Sequence, residues 1–557
     1  MKVFVKGVGE EQLDKRHYVS AGGEGTVYVK GNTAYKLYIK PERCIHEAKV
    51  MELAPLTLPN IIKPEHMILD AKNSPIGYTM HFIKHTVTLC QLFTKSFKDR
   101  NRIGSAEIVD LVLKFRAGVD HCHQHNVLVV DMNELNFLVD KNTFKEIYFI
   151  DVDSYQTKSY PATAIMDSIR DRHCEKFDSN SDWFSFGILT FQMFTGMHPY
   201  KGKHDKYLDL ETRMQCNVSV LNSAVRVPPT MIDPKSVIPD SYLSWYREVF
   251  ENGKRIPFPL RPDQVVYIAP VAQVLVSGTD MFIVKKIIEF KGNIINYKYI
   301  NNKQMVLTDV GLFLDDVFDG NVAPYAQIAV TPKFQKVITA ITKNGKLGLY
   351  DVVMGKHLNV NFDAAEVFSY DGRLYFLNNE MIMEVQFSEI SQSNMTVGIV
   401  PVCNVLPNAT QIFEGVVFQN LLDMYYVSIF PKEGIHQQIK LPELQKYRLI
   451  DAKFENNVLM VLAEQAGTYE KFIFHFKQDY TYTLRKVMLG KIASDINFTV
   501  LDTGLAIQAT DSEVELFTAH QVKTISSDTL YQTQLFHRGT EVLFAKGNEL
   551  YSITMKK

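Results

Sequence analysis

The sequence predicts a multidomain chain in which an α+β unit is followed by an all-β unit. Three observations predict it. The chain has 557 residues, too many for one ordinary core. Its texture changes near residue 260: before that point strand-like runs give way to helical ones, and after it strand signals dominate. At the change sits Ile256-Pro-Phe-Pro-Leu-Arg-Pro262, whose prolines suit an extended connector. The boundary is therefore set at 262/263, and the first unit is expected to remain soluble when separated.

Bulk chemistry excludes several classes. Apolar residues make up 46% of the chain and charged residues 22%, which describes a soluble globular protein. Sixty basic side chains stand against 62 acidic ones, so no basic excess points to nucleic acid or an anionic membrane. The longest apolar runs reach about half of the ~20 residues a spanning helix needs, and the N-terminus lacks a signal-like apolar core. Six cysteines lie scattered with no CxxC pair, and a reducing cytoplasm is the expected location.

Within residues 1–262, Asp110–Gln124 has apolar residues at helical spacing and Trp183–Phe194 reads as a buried helix. Within residues 263–557, short apolar runs follow turn signals such as Asn344-Gly345, Asp371-Gly372 and Gly547-Asn548. Runs ending in MEVQF, YYVSIF, FIFHF and VELFT read as the last strands of units about 40 residues long, the period of a four-stranded propeller blade. The expectation is a six- or seven-bladed β-propeller, with a pair of β-sandwiches as the alternative.

The chemistry-bearing residues come in a particular order. Ser20-Ala21-Gly22-Gly23-Glu24-Gly25-Thr26-Val27 lies between two strand-like runs; glycines let a backbone approach phosphates, although such a cluster also makes a plain hairpin. Lys36 follows on an alternating strand, then Glu47 on a helical stretch, where Glu42 and Glu52 compete with it. Asp131-Met-Asn133-Glu-Leu-Asn136 precedes an apolar strand, and Asp151-Val-Asp153 follows another. Ser181-Asp182-Trp183 opens the buried helix. His121-Cys-His-Gln-His125 looks metal-like, but no carboxylate or CxxC completes a zinc set.

In this order and at these gaps, Tyr18 to Pro262 resembles the eukaryotic-like Ser/Thr protein kinases, in forms (GGEG, DxNExN, DVDS) similar to a divergent bacterial or phage subgroup. The resemblance implies a bilobal fold, with an N-lobe over about 1–83 and a C-lobe over 84–262. It implies an ATP cleft lined by Gly22, Gly23, Gly25 and Val27, with Lys36 on the phosphates and paired with Glu47. Met80 is the implied gatekeeper and His81-Phe82-Ile83 the hinge that bonds adenine. Asp131 is implied to accept the substrate hydroxyl proton, Asn136 and Asp151 to hold Mg2+, and Asp182 to brace the catalytic loop.

Departures from the pattern are Ser20 for the first glycine, Val129-Val130 for His-Arg, Asn133 for a lysine, and Val152-Asp153 for Phe-Gly. Asp153 reads either as a second metal carboxylate or as a turn cap. The expected function is an ATP- and Mg2+-dependent Ser/Thr protein kinase whose C-terminal unit recruits a protein substrate or partner. The alternatives are a nucleotide-binding pseudokinase scaffold and a kinase-fold phosphotransferase acting on a small molecule.

Overall fold

The computed structural model describes the chain except for residues 22–23, 164, 228–230, 260–281, 431–435, 511–512, 527–529, 531–532 and 556–557. The expected boundary at 262/263 and the loop residues Gly22 and Gly23 lie outside the described residues.

The first lobe is built on one seven-stranded antiparallel sheet. Its strands are β1 (Lys2–Val5), β2 (Gly9–Gln12), β3 (Tyr18–Ala21), β4 (Gly25–Lys30), β5 (Thr33–Tyr38), β6 (His66–Leu69) and β7 (Pro75–His81), in the spatial order β2-β1-β6-β7-β5-β4-β3. A single short helix, α1 (Glu47–Leu53), packs beside it and buries Lys49, Val50 and Leu53.

The second lobe is mainly helical. α2 (Lys95–Asn101) precedes α3 (Ser105–Gln124), which covers the predicted helix and buries Ile108, Leu111, Val112, Phe115, Val119 and Cys122 at helical spacing. α4 (Ser179–Thr195) is buried from Ser181 to Thr195, as its nearly continuous apolar sequence requires. Asp178 caps its start by accepting from the N–H groups of Asn180 and Ser181, and Gly196 ends it at φ +72°. A small sheet of β8 (Thr86–Thr88), β9 (Phe137–Asp140) and β10 (Ile147–Phe149) brackets the loop carrying Asp131 and delivers Asp151.

From Phe282 onward the described residues form only strands and short 3-10 turns. They make seven separate four-stranded antiparallel sheets. Six are consecutive in sequence, spanning 294–320, 327–358, 366–404, 410–441, 448–490 and 498–526. The seventh joins Gln534–Arg538, Glu541–Lys546 and Glu549–Met555 to Phe282–Glu289, so the first strand of the region pairs with the last. The turns at Asn344-Gly345 and Asp371-Gly372 have positive φ at both residues, which is why those dipeptides stand there. MEVQF, YYVSIF, FIFHF and VELFT lie in the third strands of their sheets rather than the last. Fourth strands are more exposed, as in Met395–Asn404, where no residue is buried, and some are polar, as in Gln437–Leu441, so they carry less apolar signal.

The two units share apolar core. One apolar cluster contains Phe115, Phe186 and Trp183 of the helical lobe together with Ile450, Met460, Tyr469, Ile473 and Phe498 of the sheet region. Polar ties accompany it: Tyr469 donates to Glu134 at 2.6 Å, Gln91 to the Ile450 carbonyl at 2.7 Å, and Lys141 to Glu366 at 2.6 Å. Arg100 reaches Glu414 and Asp451, and Lys491 pairs with Asp167. Apolar strands whose second face meets another unit look the same in sequence as strands buried within their own.

Candidate active site

Strand β5 places Lys36 and Tyr38 on one face by its two-residue alternation, and β7 sets Tyr78 directly opposite Lys36 in register. Below them, the chain leaving β10 turns through Asp151, which sits in left-handed backbone at φ +59°, into a 3-10 turn at Val152–Ser154. The buried Lys36 ammonium donates to Asp151 at 2.7 Å and to both oxygens of Asp153, at 3.1 and 2.9 Å. Tyr38 and Tyr78 add hydroxyl donors to Asp153 at 2.5 and 2.6 Å.

Electrostatics here follow from burial and charge together. Burial alone would depress the Lys36 ammonium, but the two carboxylates outweigh it and hold the group well above its usual range. Burial likewise opposes ionisation of Asp153, yet Lys36 and the tyrosine hydroxyls pull it below the usual value. Asp151 is pushed up by burial and by its carboxylate neighbour, with Lys36 opposing. Carboxylate oxygens of Glu24, Asp151 and Asp153 lie within 4.8 Å of one another.

The loop from Val129 to Asn136 is braced from α4. Asp182, fully buried, accepts from the N–H of Val129 at 2.8 Å and of Val130 at 2.9 Å. Val130 is held at φ +57°, which a β-branched residue adopts only when its surroundings impose it. Asp131 accepts from Asn133 at 2.7 Å, from Asn136 at 3.3 Å and from the Met166 N–H at 2.9 Å. Burial raises its carboxyl above the usual value, and these donors oppose the rise. Asn133 accepts from the Leu135 N–H, so its side chain is committed within the loop instead of reaching outward as a lysine would.

One open cavity is lined by Gly25, Val27, Lys36, Met80, His81, Phe82, Ile83, Asn136 and Asp151. The structure thus brings these candidates together between the lobes, and Asp131 lies beside Asn136. The Phe82 N–H is already bonded to the Asn32 carbonyl at 2.8 Å, whereas that of Ile83 makes no backbone bond among the described residues. Gly25 has a second reason to be glycine: a Cβ there would lie 2.7 Å from the Leu37 carbonyl oxygen, so β4 packs too closely on β5 for a side chain. The cavity continues beyond the hinge to residues of the sheet region, including Lys298, Glu414 and Lys453, which no sequence motif flagged.

Glu47 does not join the site. It is exposed at the start of α1 and pairs with Lys6 at 2.7 Å, while Lys49 is the charged residue that α1 turns inward. Glu52 accepts from the Ser159 N–H instead of approaching Lys36. The partners sequence reasoning missed are Tyr38 and Tyr78, ordinary strand tyrosines until the fold aims them at Asp153. The histidine run forms no metal site: His121 accepts from the Thr57 N–H, His125 bonds the His121 carbonyl, and among the described residues no third ligand joins them.

Comparison with known proteins agrees with this geometry. Residues 29–236 match the protein kinase domain family. The mouse serine/threonine-protein kinase Nek2 is 21% identical over 212 residues, covering 36% of this chain and 48% of that protein. Serine/threonine-protein kinase 1 of Lymantria dispar multicapsid nuclear polyhedrosis virus is 28% identical over 115 residues, 20% of this chain and 41% of that one. Human ribosomal protein S6 kinase alpha-2 is 25% identical over 223 residues, 35% of this chain and 28% of that one. The chain spans less than half the length of each of these relatives. The solved structure of the Cydia pomonella granulovirus kinase PK-1 aligns over 43% of this chain and 86% of that one at 14% identity and a TM-score of 0.32, too low to carry an argument. Residues 29–236 are therefore a protein kinase domain, and an all-β region of many small sheets follows.

Proposed function

We propose that this chain is an ATP- and Mg2+-dependent Ser/Thr protein kinase. The observation that carries the reading is that Lys36, Asn136 and Asp151 line one cavity together with the Met80–Ile83 hinge. The donor set fits the nucleotide and its metal. Asn136 directs its amide N–H at Asp131, which leaves its oxygen as a ligand of the kind magnesium prefers, beside the carboxylate of Asp151. Bound magnesium supplies charge neutralisation on the phosphates. Lys36 holds the phosphate tail, the Ile83 N–H meets the adenine edge, and Asp131 takes up the proton of the incoming hydroxyl. With Asn133 committed to its own loop, one cationic contact to the transferring group is missing, and transfer is slow.

The seven sheets are the blades of a β-propeller in this reading. Support comes from the pairing of Phe282–Glu289 with Glu549–Met555, which a ring-closing blade requires, and from contacts between first strands of neighbouring sheets, including that of Ile294–Ile300 with Gln534–Arg538. The propeller recruits a protein substrate or partner to the kinase domain it packs against.

One observation favours a nucleotide-binding scaffold instead: three donors, from Asn133, Asn136 and the Met166 N–H, already converge on the Asp131 carboxylate that an incoming hydroxyl needs. The two readings separate on phosphate transfer. Wild type and Asp131→Asn are incubated with γ-labelled ATP and magnesium, alone and with protein extracts of the source cell. The kinase reading requires label on serine or threonine with wild type and none above background with Asp131→Asn. ATP binding by wild type with no more incorporation than by Asp131→Asn establishes the scaffold.

A further inference from the structure

Kinase domains steady the strand lysine with a helix carboxylate, and this chain places its helix glutamate elsewhere. We infer that Asp153 is the positioning residue that holds Lys36 for the nucleotide, in place of any glutamate on α1. The inference rests on the nucleotide-binding reading above and deepens it.

Geometry makes the case from both sides. Side-chain exposure is 9% for Lys36 and 6% for Asp153, against 55% for Glu47. A carboxylate offers about four lone-pair directions. Those of Asp153 receive two contacts from Lys36, one from Tyr38 and one from Tyr78, all at 3.1 Å or less. Its carbonyl oxygen accepts from Lys49 at 2.6 Å. Nothing is left over for a metal ion, which falls to Asp151, whose side chain keeps 35% exposure beside the cavity.

Helix α1 cannot compete without being rebuilt. At about 100° per residue, the buried Lys49, Val50 and Leu53 define its inner arc, and Glu47 lies roughly 110° from the middle of that arc. Turning Glu47 inward would swing Lys49 out of its bond to the Asp153 carbonyl. Two departures from the kinase pattern thus account for each other. A side chain stands at Asp153, where the magnesium motif has glycine, and that side chain does what the helix carboxylate does not. Tyr38 and Tyr78 belong to the same device, since each fixes one oxygen of Asp153.

The test uses the purified full chain and calorimetric titration with two probes, ATP with magnesium and adenosine. Adenosine needs the hinge alone, so its affinity reports whether the cleft is intact. Asp153→Asn is expected to weaken ATP at least about tenfold, the loss of a charge-assisted contact, while adenosine affinity stays within about twofold of wild type on the same scale. Glu47→Ala is expected to leave both probes unchanged. If Asp153→Asn does not fold, Tyr38→Phe and Tyr78→Phe, which keep the carboxylate but release one oxygen each, carry the same comparison. The inference is overturned if ATP affinity is unaffected by these changes, if ATP and adenosine weaken together, or if Glu47→Ala produces the loss. A wild type that binds neither probe overturns the nucleotide reading itself and this inference with it. Tight ATP binding that is indifferent to Asp153 overturns the inference alone.

Discussion

Tyr469→Phe removes one hydroxyl and almost no volume from the join between the two halves. Tyr469 is fully buried, and its hydroxyl donates at 2.6 Å to Glu134, itself 4% exposed, in the middle of the catalytic loop. Burial raises the Glu134 carboxyl above its usual value, and the tyrosine bond opposes that rise. Without the hydroxyl, an ionised Glu134 loses a charge-assisted bond and stays buried, at a cost of about 3 kcal/mol. The sign of the pH dependence follows. A carboxyl whose folded value is raised contributes stability below its unfolded value near 4.5 and loses it as pH rises through the folded value. The variant raises the folded value further, so its deficit relative to wild type grows as pH rises and is larger at pH 8 than at pH 5. Thermal unfolding of the full chain at the two pH values measures it. A deficit equal at both, or absent at both, refutes the claim that a buried carboxylate ties the catalytic loop to the sheet region.

Three further outcomes follow from packing and charge. Gly118→Ala places a Cβ 2.3 Å from the Phe149 ring. It should cost about 1–3 kcal/mol by overpacking and weaken magnesium-dependent ATP binding, because Phe149 lies two residues before Asp151; an unchanged melting midpoint and affinity would contradict this. His198 is buried, donates to the Ser168 carbonyl and accepts from the Tyr200 N–H, and burial lowers it to about 4. Its neutral form is the one the fold holds, so its contribution is complete above about pH 6.5 and disappears as pH falls towards 4, by roughly 3 kcal/mol. A His198→Asn protein should show a shallower acid loss in melting experiments, and parallel curves would count against it. A chain ending at Pro259 exposes the helical-lobe side of the shared apolar cluster and should aggregate or melt well below the full chain in light-scattering and thermal assays; a stable monomer would show that the shared core is dispensable.

What was legible in the sequence was order along the chain. Lys36 lies within an alternating strand, and Asp131, Asn136 and Asp151 each precede or follow an apolar one, so local pattern alone ties all four to strands. The turn dipeptides marked the hairpins of the later sheets for the same local reason. Glu47 was misplaced because being on a helix does not say which way a residue faces; the buried phase of Val50 and Leu53 was the signal that pointed it outward. Asp153 was left between two readings because its partners, Tyr38 and Tyr78, come from strands far away in sequence. The shared core was invisible because alternation shows that a strand has an apolar face, not what covers it.

The account stands most directly on the claim that this cleft holds nucleotide through a metal gripped by Asp151. Calorimetric titration of ATP into wild type and Asp151→Asn, each with and without magnesium, measures it. Wild type should bind markedly tighter with magnesium than without, and Asp151→Asn should lose most of that difference while remaining folded. Binding by wild type that is indifferent to magnesium, or a magnesium effect retained in full by Asp151→Asn, would contradict the account.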